Sequence, residues 1–322
     1  MPVDATLASY GDLAFNTALV LYLLAMVLHA VEYAAGRPVT GAGAGRPAPA
    51  RAGGGSVGTL APPAAEQRPP RSRPERAGRS AVALTGLAAA VQGVSLVLRG
   101  LAAGRVPWGN MYEFTSAVCF VAVAAWLVVL HRQRVAVPAL RRLGGFVLLP
   151  VVVLLFLAGT VLYADAAPLI PALNSYWIAI HVSAASIASG VLLVSGVASA
   201  LYLVQARGSA GSRIAGRLPG AATLDRLAYR TTVVAFPIWT FGIITGAIWA
   251  EAAWGRYWGW DPKETTALVA WVVYACYLHA RATTGWRGAR SAWINIAGLA
   301  VMLFNLFFIN IVIAGLHSYA GV

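Results

Sequence analysis

Residues 254–264 read Trp254-Gly-Arg-Tyr257-Trp258-Gly-Trp260-Asp261-Pro262-Lys263-Glu264, and they lie between two long apolar runs, about 231–250 and 264–282. A membrane-crossing helix needs about 20 predominantly apolar residues, and each flank supplies that length. The stretch between them is too short to be a domain, so it reads as a tight connection between two spans. Its second half is also a helix start. Asp261 is a favoured N-cap, Pro262 suits the first helical position, and Glu264 closes a capping box. Local architecture therefore explains Asp261, Pro262 and Glu264 without a ligand. It does not explain Trp254, Tyr257, Trp258 and Trp260, since an interfacial aromatic belt needs only scattered anchors. A flat apolar ligand lying on these rings is the alternative, with Trp239 and Trp249 just below.

Outward from this loop the pattern repeats. Eight apolar runs occur, at about 13–34, 81–101, 114–131, 143–163, 177–206, 231–250, 264–282 and 293–316. The expected fold class is an all-α polytopic membrane protein of about eight transmembrane helices. Composition agrees: of 322 residues 59% are hydrophobic and 11% charged, against about a quarter charged in soluble proteins. Residues 1–35 read as a first, retained helix, because the start MPVDATLASYGDLAFN is acidic where a cleaved signal would be basic. Residues 36–80, rich in Pro, Gly and Arg with few residues that build a core, read as a disordered cytoplasmic linker. Residues 81–322 form a seven-helix unit with its aromatic loop at 251–264. Cys119 and Cys276 lie inside apolar runs with no Cys-x-x-Cys spacing, so they read as ordinary helix residues.

The net charge of +13 would suggest nucleic acid in a soluble protein, but here topology accounts for it. With the N-terminus outside, the inner segments 36–79, 131–142, 207–230 and 281–290 hold 8, 4, 5 and 3 of the 24 Lys/Arg. That leaves Arg99, Arg105, Arg256 and Lys263 outside. Both termini are then extracytoplasmic, and so is the aromatic loop. The loops 102–113, with its Pro107-Trp108-Gly109-Asn110-Met111-Tyr112-Glu113, and 164–176 share that face. No nucleic-acid partner is expected; lipid is the surrounding medium.

Five histidines are present: His29, His131, His181, His279 and His317. His181 lies about one turn into the fifth span, and His317 just past the eighth, both at the level of the tryptophan loop. A hydrogen-bonded packing role is the default for one such histidine. Two at one level beside an aromatic platform suit axial ligation of a haem iron from opposite faces. The haem propionates would then meet Arg256, Lys263 or Arg105. His279 lies 15 residues beyond Glu264, about 22 Å deeper at roughly 1.5 Å per residue, and His29 lies at a similar inner depth. An ionisable group within a span is a functional candidate. His131 opens a basic loop and reads as solvated.

WGRYWGWDPKE, with His181 before it and His317 in Gly-Leu-His-Ser-Tyr after it, resembles the tryptophan-rich "WWD" signature of haem-handling proteins, and PWGNMYEF at 107–114 adds to the match. From about 81 to 320 the chain resembles the CcsA/ResC membrane subunit of system II cytochrome c biogenesis. The resemblance implies a haem–thiol lyase of the holocytochrome c synthase type, active as a complex with a CcsB/ResB-type partner in the plasma membrane. It implies that His181 and His317 hold the iron of haem b on the outer face, against Trp254, Arg256, Tyr257, Trp258, Trp260 and Trp108, with Asp261 orienting substrate or loop. His279 would hold haem on its way from the cytoplasmic side, opposite a histidine of the partner or His29 in this chain. Apocytochrome c would present its Cys-x-x-Cys-His segment to the outer haem. Glu113 matches a family position whose role the residues do not give; a loop–helix cap is the plain alternative. Alternatives from the residues are a haem exporter without ligation activity, a cytochrome b-like electron-transfer bundle, and a structural assembly protein.

Overall fold

The computed structural model describes residues 3–36, 72–133, 137–169, 171–208, 214–313 and 315–317. Ten α-helices and no strand occupy the described residues. They are α1 (Ala5–Ala35), α2 (Arg73–Ala103), α3 (Met111–Arg132), α4 (Val137–Arg141), α5 (Gly144–Thr160), α6 (Tyr176–Arg207), α7 (Ala221–Trp254), α8 (Pro262–Ala282), α9 (Ala289–Leu306) and α10 (Phe308–Val312). Seven segments among the described residues are long and apolar enough to cross a membrane. The expected run at 264–282 is the 21-residue helix α8. It falls outside that set because tryptophan, tyrosines and the polar residues at both ends dilute its hydropathy.

Several boundaries differ from the sequence expectation. α1 starts at Ala5 rather than near 13, capped by Asp4, whose carboxylate accepts the Thr6 and Leu7 N–H groups at 2.9 and 3.0 Å. α2 starts at Arg73, inside the segment read as a disordered linker; residues 37–71 of that segment lie outside the described residues. Composition misled here because Arg73–Ser80 carries no apolar run. Pro74 nevertheless suits a first helical turn, and Gly78 lets the Glu32 side chain of α1 pack against this turn. α7 begins at Ala221, ten residues before its apolar run, and Asp225 there pairs with Arg281 of α8 at 2.8 Å. The last run breaks at Phe307 into α9 and α10, so His317 lies beyond a helix end.

α1 pairs with α2, α6 with α7 and α8 with α9, while α3 packs on α6 and joins the two halves. Buried polar side chains tie the second half together. Asn295 of α9 donates to Ser195 and Ser199 of α6, each at 2.8 Å, and Ser195 shares a hydrogen bond with Thr232 of α7 at 2.7 Å. In an apolar solvent such bonds replace the hydrophobic drive as interhelical fasteners.

One end of the bundle gathers the start of α1, the α2–α3 connection, the 161–175 connection, the aromatic loop and residues 315–317. The Asp4 N–H donates to the Ala102 carbonyl at 3.0 Å, Arg99 donates to the Ala164 carbonyl, and the Leu316 N–H donates to Asp261 at 2.8 Å. The opposite end carries the described parts of the basic segments. There the Tyr33 hydroxyl donates to the Ile214 carbonyl at 2.8 Å, and Arg142 to the Arg217 carbonyl at 3.4 Å.

Candidate functional site

The site starts with two helix termini. Ser175 caps α6 by accepting the Trp177 N–H at 3.3 Å, which sets His181 in the second turn. The His181 Nδ1 lies 2.7 Å from the Gly242 carbonyl of α7. A carbonyl only accepts, so Nδ1 carries a proton, and in the neutral ring Nε2 keeps the lone pair. Gly246, one turn further along α7, makes this approach possible, since a Cβ there would lie 2.6 Å from Nδ1.

The aromatic loop is closed by the expected capping box at Asp261 and Glu264. The Glu264 carboxylate accepts the N–H groups of both Gly259 and Asp261, at 2.9 and 3.2 Å. Trp260 between them has φ of 57°, the only non-glycine positive φ among the described residues. That conformation costs about 1–2 kcal/mol and leaves the indole 70% exposed.

Asp261 does more than cap. Its Oδ2 accepts the Lys263 N–H at 3.1 Å and lies 2.8 Å from His317 Nδ1, while its Oδ1 accepts the Leu316 N–H. Burial pushes the Asp261 carboxyl up, but the hydrogen bond from His317, then that from Leu316, outweigh it and hold its pKa down to about 2. The ionised carboxylate only accepts, so His317 Nδ1 carries a proton, as His181 Nδ1 does. Burial among the indoles lowers the His317 pKa below the usual imidazole value, against the opposing pull of Asp261. In each ring the hydrogen bond engages Nδ1, so in the neutral form Nε2 is the nitrogen that could bind a metal.

Both histidines line one cavity, with about 1160 Å³ of empty space including its mouth. Trp249 joins them: its ring lies parallel to that of His181 at 6.2 Å between centroids, and 5.7 Å from that of His317. Trp254 packs edge-on against Trp249 at 4.7 Å and His317 at 5.2 Å. Trp108, Tyr257 and Trp258 also line the cavity, as does Lys263, whose Nζ donates to Asn310 at 2.6 Å.

The structure thus brings His181, His317, Trp254, Tyr257, Trp258 and Trp108 onto one cavity, with Asp261 behind His317. It does not bring Trp260 or Arg256 into the lining; the Arg256 guanidinium lies over Gly259, and Trp260 packs edge-on against Trp258 at 5.9 Å. Arg105 is not a cavity cation either, because it is ion-paired with Glu113 at 2.7 Å. Of the three cations considered for an acidic group, only Lys263 faces the cavity. His279 is exposed on α8 and stands apart from the site. His29, by contrast, is buried against Trp126 of α3 at 5.4 Å between centroids. Sequence reasoning missed Met111, Phe114, Ser189, Met302 and Asn305, which complete the lining from α3, α6 and α9. Glu113 does cap the loop–helix junction, accepting the Gly109 N–H beside the Asn110 cap, and it also pairs with Arg99 and Arg105, which the sequence did not reveal.

Fold and site together define a polytopic helical membrane protein with a two-histidine, indole-walled cavity at one end of its bundle. The family model described as "Cytochrome C assembly protein" matches residues 108–317. The cytochrome c biogenesis protein CcsA of Synechococcus sp. (strain CC9902) is 38% identical over 253 residues, covering 70% of this chain and 81% of that protein. The CcsA of Synechococcus sp. (strain RCC307) is 36% identical over 278 residues, 78% and 86% of the two. The chain belongs to this cytochrome c assembly family, as a CcsA-type member. The solved structure of the cytochrome c heme lyase CcmF shares the fold, with a TM-score of 0.63 at 18% identity over 94% of this chain. This chain spans 47% of that protein's length.

Proposed function

We propose that this protein is the membrane subunit of a cytochrome c synthase that receives haem b from the cytoplasmic side. It then holds the haem at the extracytoplasmic face for attachment to the Cys-x-x-Cys-His segment of apocytochrome c. The observation that carries this reading is the pair His181 and His317 on one cavity, each donating Nδ1–H to an acceptor of its own. Two imidazoles are too few ligands for a bare ion, but suit an iron whose other four positions a porphyrin fills. Trp108, Trp249, Trp254 and Trp258 offer the apolar flat surface such a macrocycle needs, and Lys263 offers a cation for a propionate.

The protein's share is orientation and exclusion of water. The two imidazoles hold the iron in place, and the indoles shield its faces. Each apocytochrome thiol then adds across one haem vinyl, sulfur to one carbon and hydrogen to the other, with no net oxidation. The incoming histidine takes over one axial position. Asp261 acts through His317, fixing its tautomer and its place at the mouth.

His279 sits on an exposed α8 face with Val269, Val272 and Cys276. That face supports docking of a CcsB/ResB-type partner helix that supplies the second ligand of an inner haem. Co-expression of this chain, its partner and an apocytochrome tests the reading. Thioether-linked cytochrome is expected, and haem bound to the complex without any linkage to the apocytochrome would favour the exporter reading instead.

A further inference from the structure

Glu113 is 1% exposed and lies outside the cavity lining, yet it organises the wall that the first half of the chain contributes. Its Oε2 accepts the Gly109 N–H and an Arg105 Nη1–H, each at 2.7 Å. Its Oε1 accepts Arg105 Nη2–H at 3.1 Å and Arg99 Nε–H at 3.2 Å. The two guanidiniums extend the hold. Arg99 reaches Asp12 of α1 at 3.1 Å and the Ala164 carbonyl, and Arg105 reaches the Ala167 carbonyl at 2.8 Å. The Tyr163 hydroxyl donates to Asp12 at 2.8 Å. One carboxylate thereby fastens α1, α2, the 104–110 connection, α3 and the 163–167 segment. Trp108, Gly109, Asn110, Met111 and Phe114, which flank Glu113 on both sides, line the cavity. The Trp108 indole N–H is buried and has no partner among the described residues, so it stands as a donor at the wall.

We infer that Glu113 is a positioning residue for the cavity ligand: its charge, shared between Arg99 and Arg105 and anchored to the Gly109 N–H, holds the Trp108–Asn110 turn in the place where the ligand is seated. The inference rests on the haem reading of the site. Without the charge, Arg99 keeps Asp12, but Arg105 is left facing a neutral group in a buried place, which is costly. The turn they hold, and Trp108 with it, then shifts.

The test uses the full chain co-purified with its partner, and compares wild type, Glu113→Gln, Glu113→Asp, Gly109→Ala and His181→Ala for haem per complex and absorption spectrum. Gly109→Ala alters no charge, but its Cβ would meet the Arg105 guanidinium carbon at 2.5 Å and push it from Glu113. E113Q and G109A are expected to retain roughly tenfold less haem at the outer site, the fold-change equivalent to the loss of one buried polar contact, with a displaced absorption maximum and normal yield. E113D, which keeps the charge, is expected to recover most of it. A wild-type haem content and spectrum in E113Q, or in G109A where E113Q does not accumulate, overturns the inference. If H181A also keeps the wild-type spectrum, the haem reading itself falls. If H181A loses haem while E113Q and G109A do not, only the role of Glu113 falls.

Discussion

The two ends of the bundle treat histidine differently. At the loop end, His181 and His317 each give Nδ1–H to an acceptor and share a cavity with Trp249. At the basic end, His29 has both ring nitrogens buried with no partner among the described residues, edge-on to Trp126, and His279 is exposed on α8. Burial alone therefore does not set the first pair apart. What distinguishes the first pair is an acceptor that fixes the tautomer and open space beside the ring.

The largest effect that comparison predicts is from the pair itself. His181→Ala or His317→Ala is expected to reduce haem bound at the outer site by more than roughly tenfold and to abolish cytochrome maturation, with partial recovery on adding imidazole. Haem quantitation on the purified complex checks it, and full haem in both variants breaks the contrast. Next comes Asp261→Asn, which keeps the side chain's shape but removes the charge behind His317. A roughly tenfold loss of haem is expected, smaller than ligand removal because the ring stays.

The same pair sets a pH dependence in the haem-free protein. Asp261 is held down at about 2 in the fold. Its contribution is thus complete above the ordinary carboxylate value of 3.8 and is lost as pH falls towards 2. His317 is lowered as well, so the unfolded chain takes up its proton first, and stability drops as pH falls below 6.5. Thermal unfolding of wild type should weaken on acidification through that range, and H317A should show a flatter profile.

Trp258→Ala is expected to cost more haem than Trp260→Ala, because Trp258 lines the cavity and Trp260 is exposed. Equal losses would assign the exposed indole a share of the site. The smallest effect is expected from His29→Leu, which removes two orphaned polar atoms and keeps the volume. Haem content should be unchanged and stability equal or higher by about 1 kcal/mol. A loss of maturation would show that the basic end takes part.

How much was legible follows from the range of each interaction. The capping box and the turn around Glu264 are encoded within six residues, so the sequence displayed them. The bringing together of His181 and His317 could be read because both sit at span ends, where membrane depth substitutes for a contact map. The Glu113 cluster could not be read in this way, since Asp12 and Arg99 are 87 residues apart and the two arginines look like ordinary outer-face charges. Met111, Phe114 and Met302 were also hidden. In a bilayer an apolar residue facing lipid and one facing a cavity look alike, because the solvent is as apolar as the core. The early start of α2 was missed because Arg73–Ser80 is helical through packing on α1 rather than through any apolar run.

The central claim is that His181 and His317 together hold the iron of the outer haem. Electron paramagnetic resonance of the oxidised complex tests it most directly. A low-spin signal of two axial imidazoles is expected in the wild-type complex, replaced by a high-spin or altered signal in each single alanine variant. The same low-spin signal persisting undiminished in both variants would contradict it.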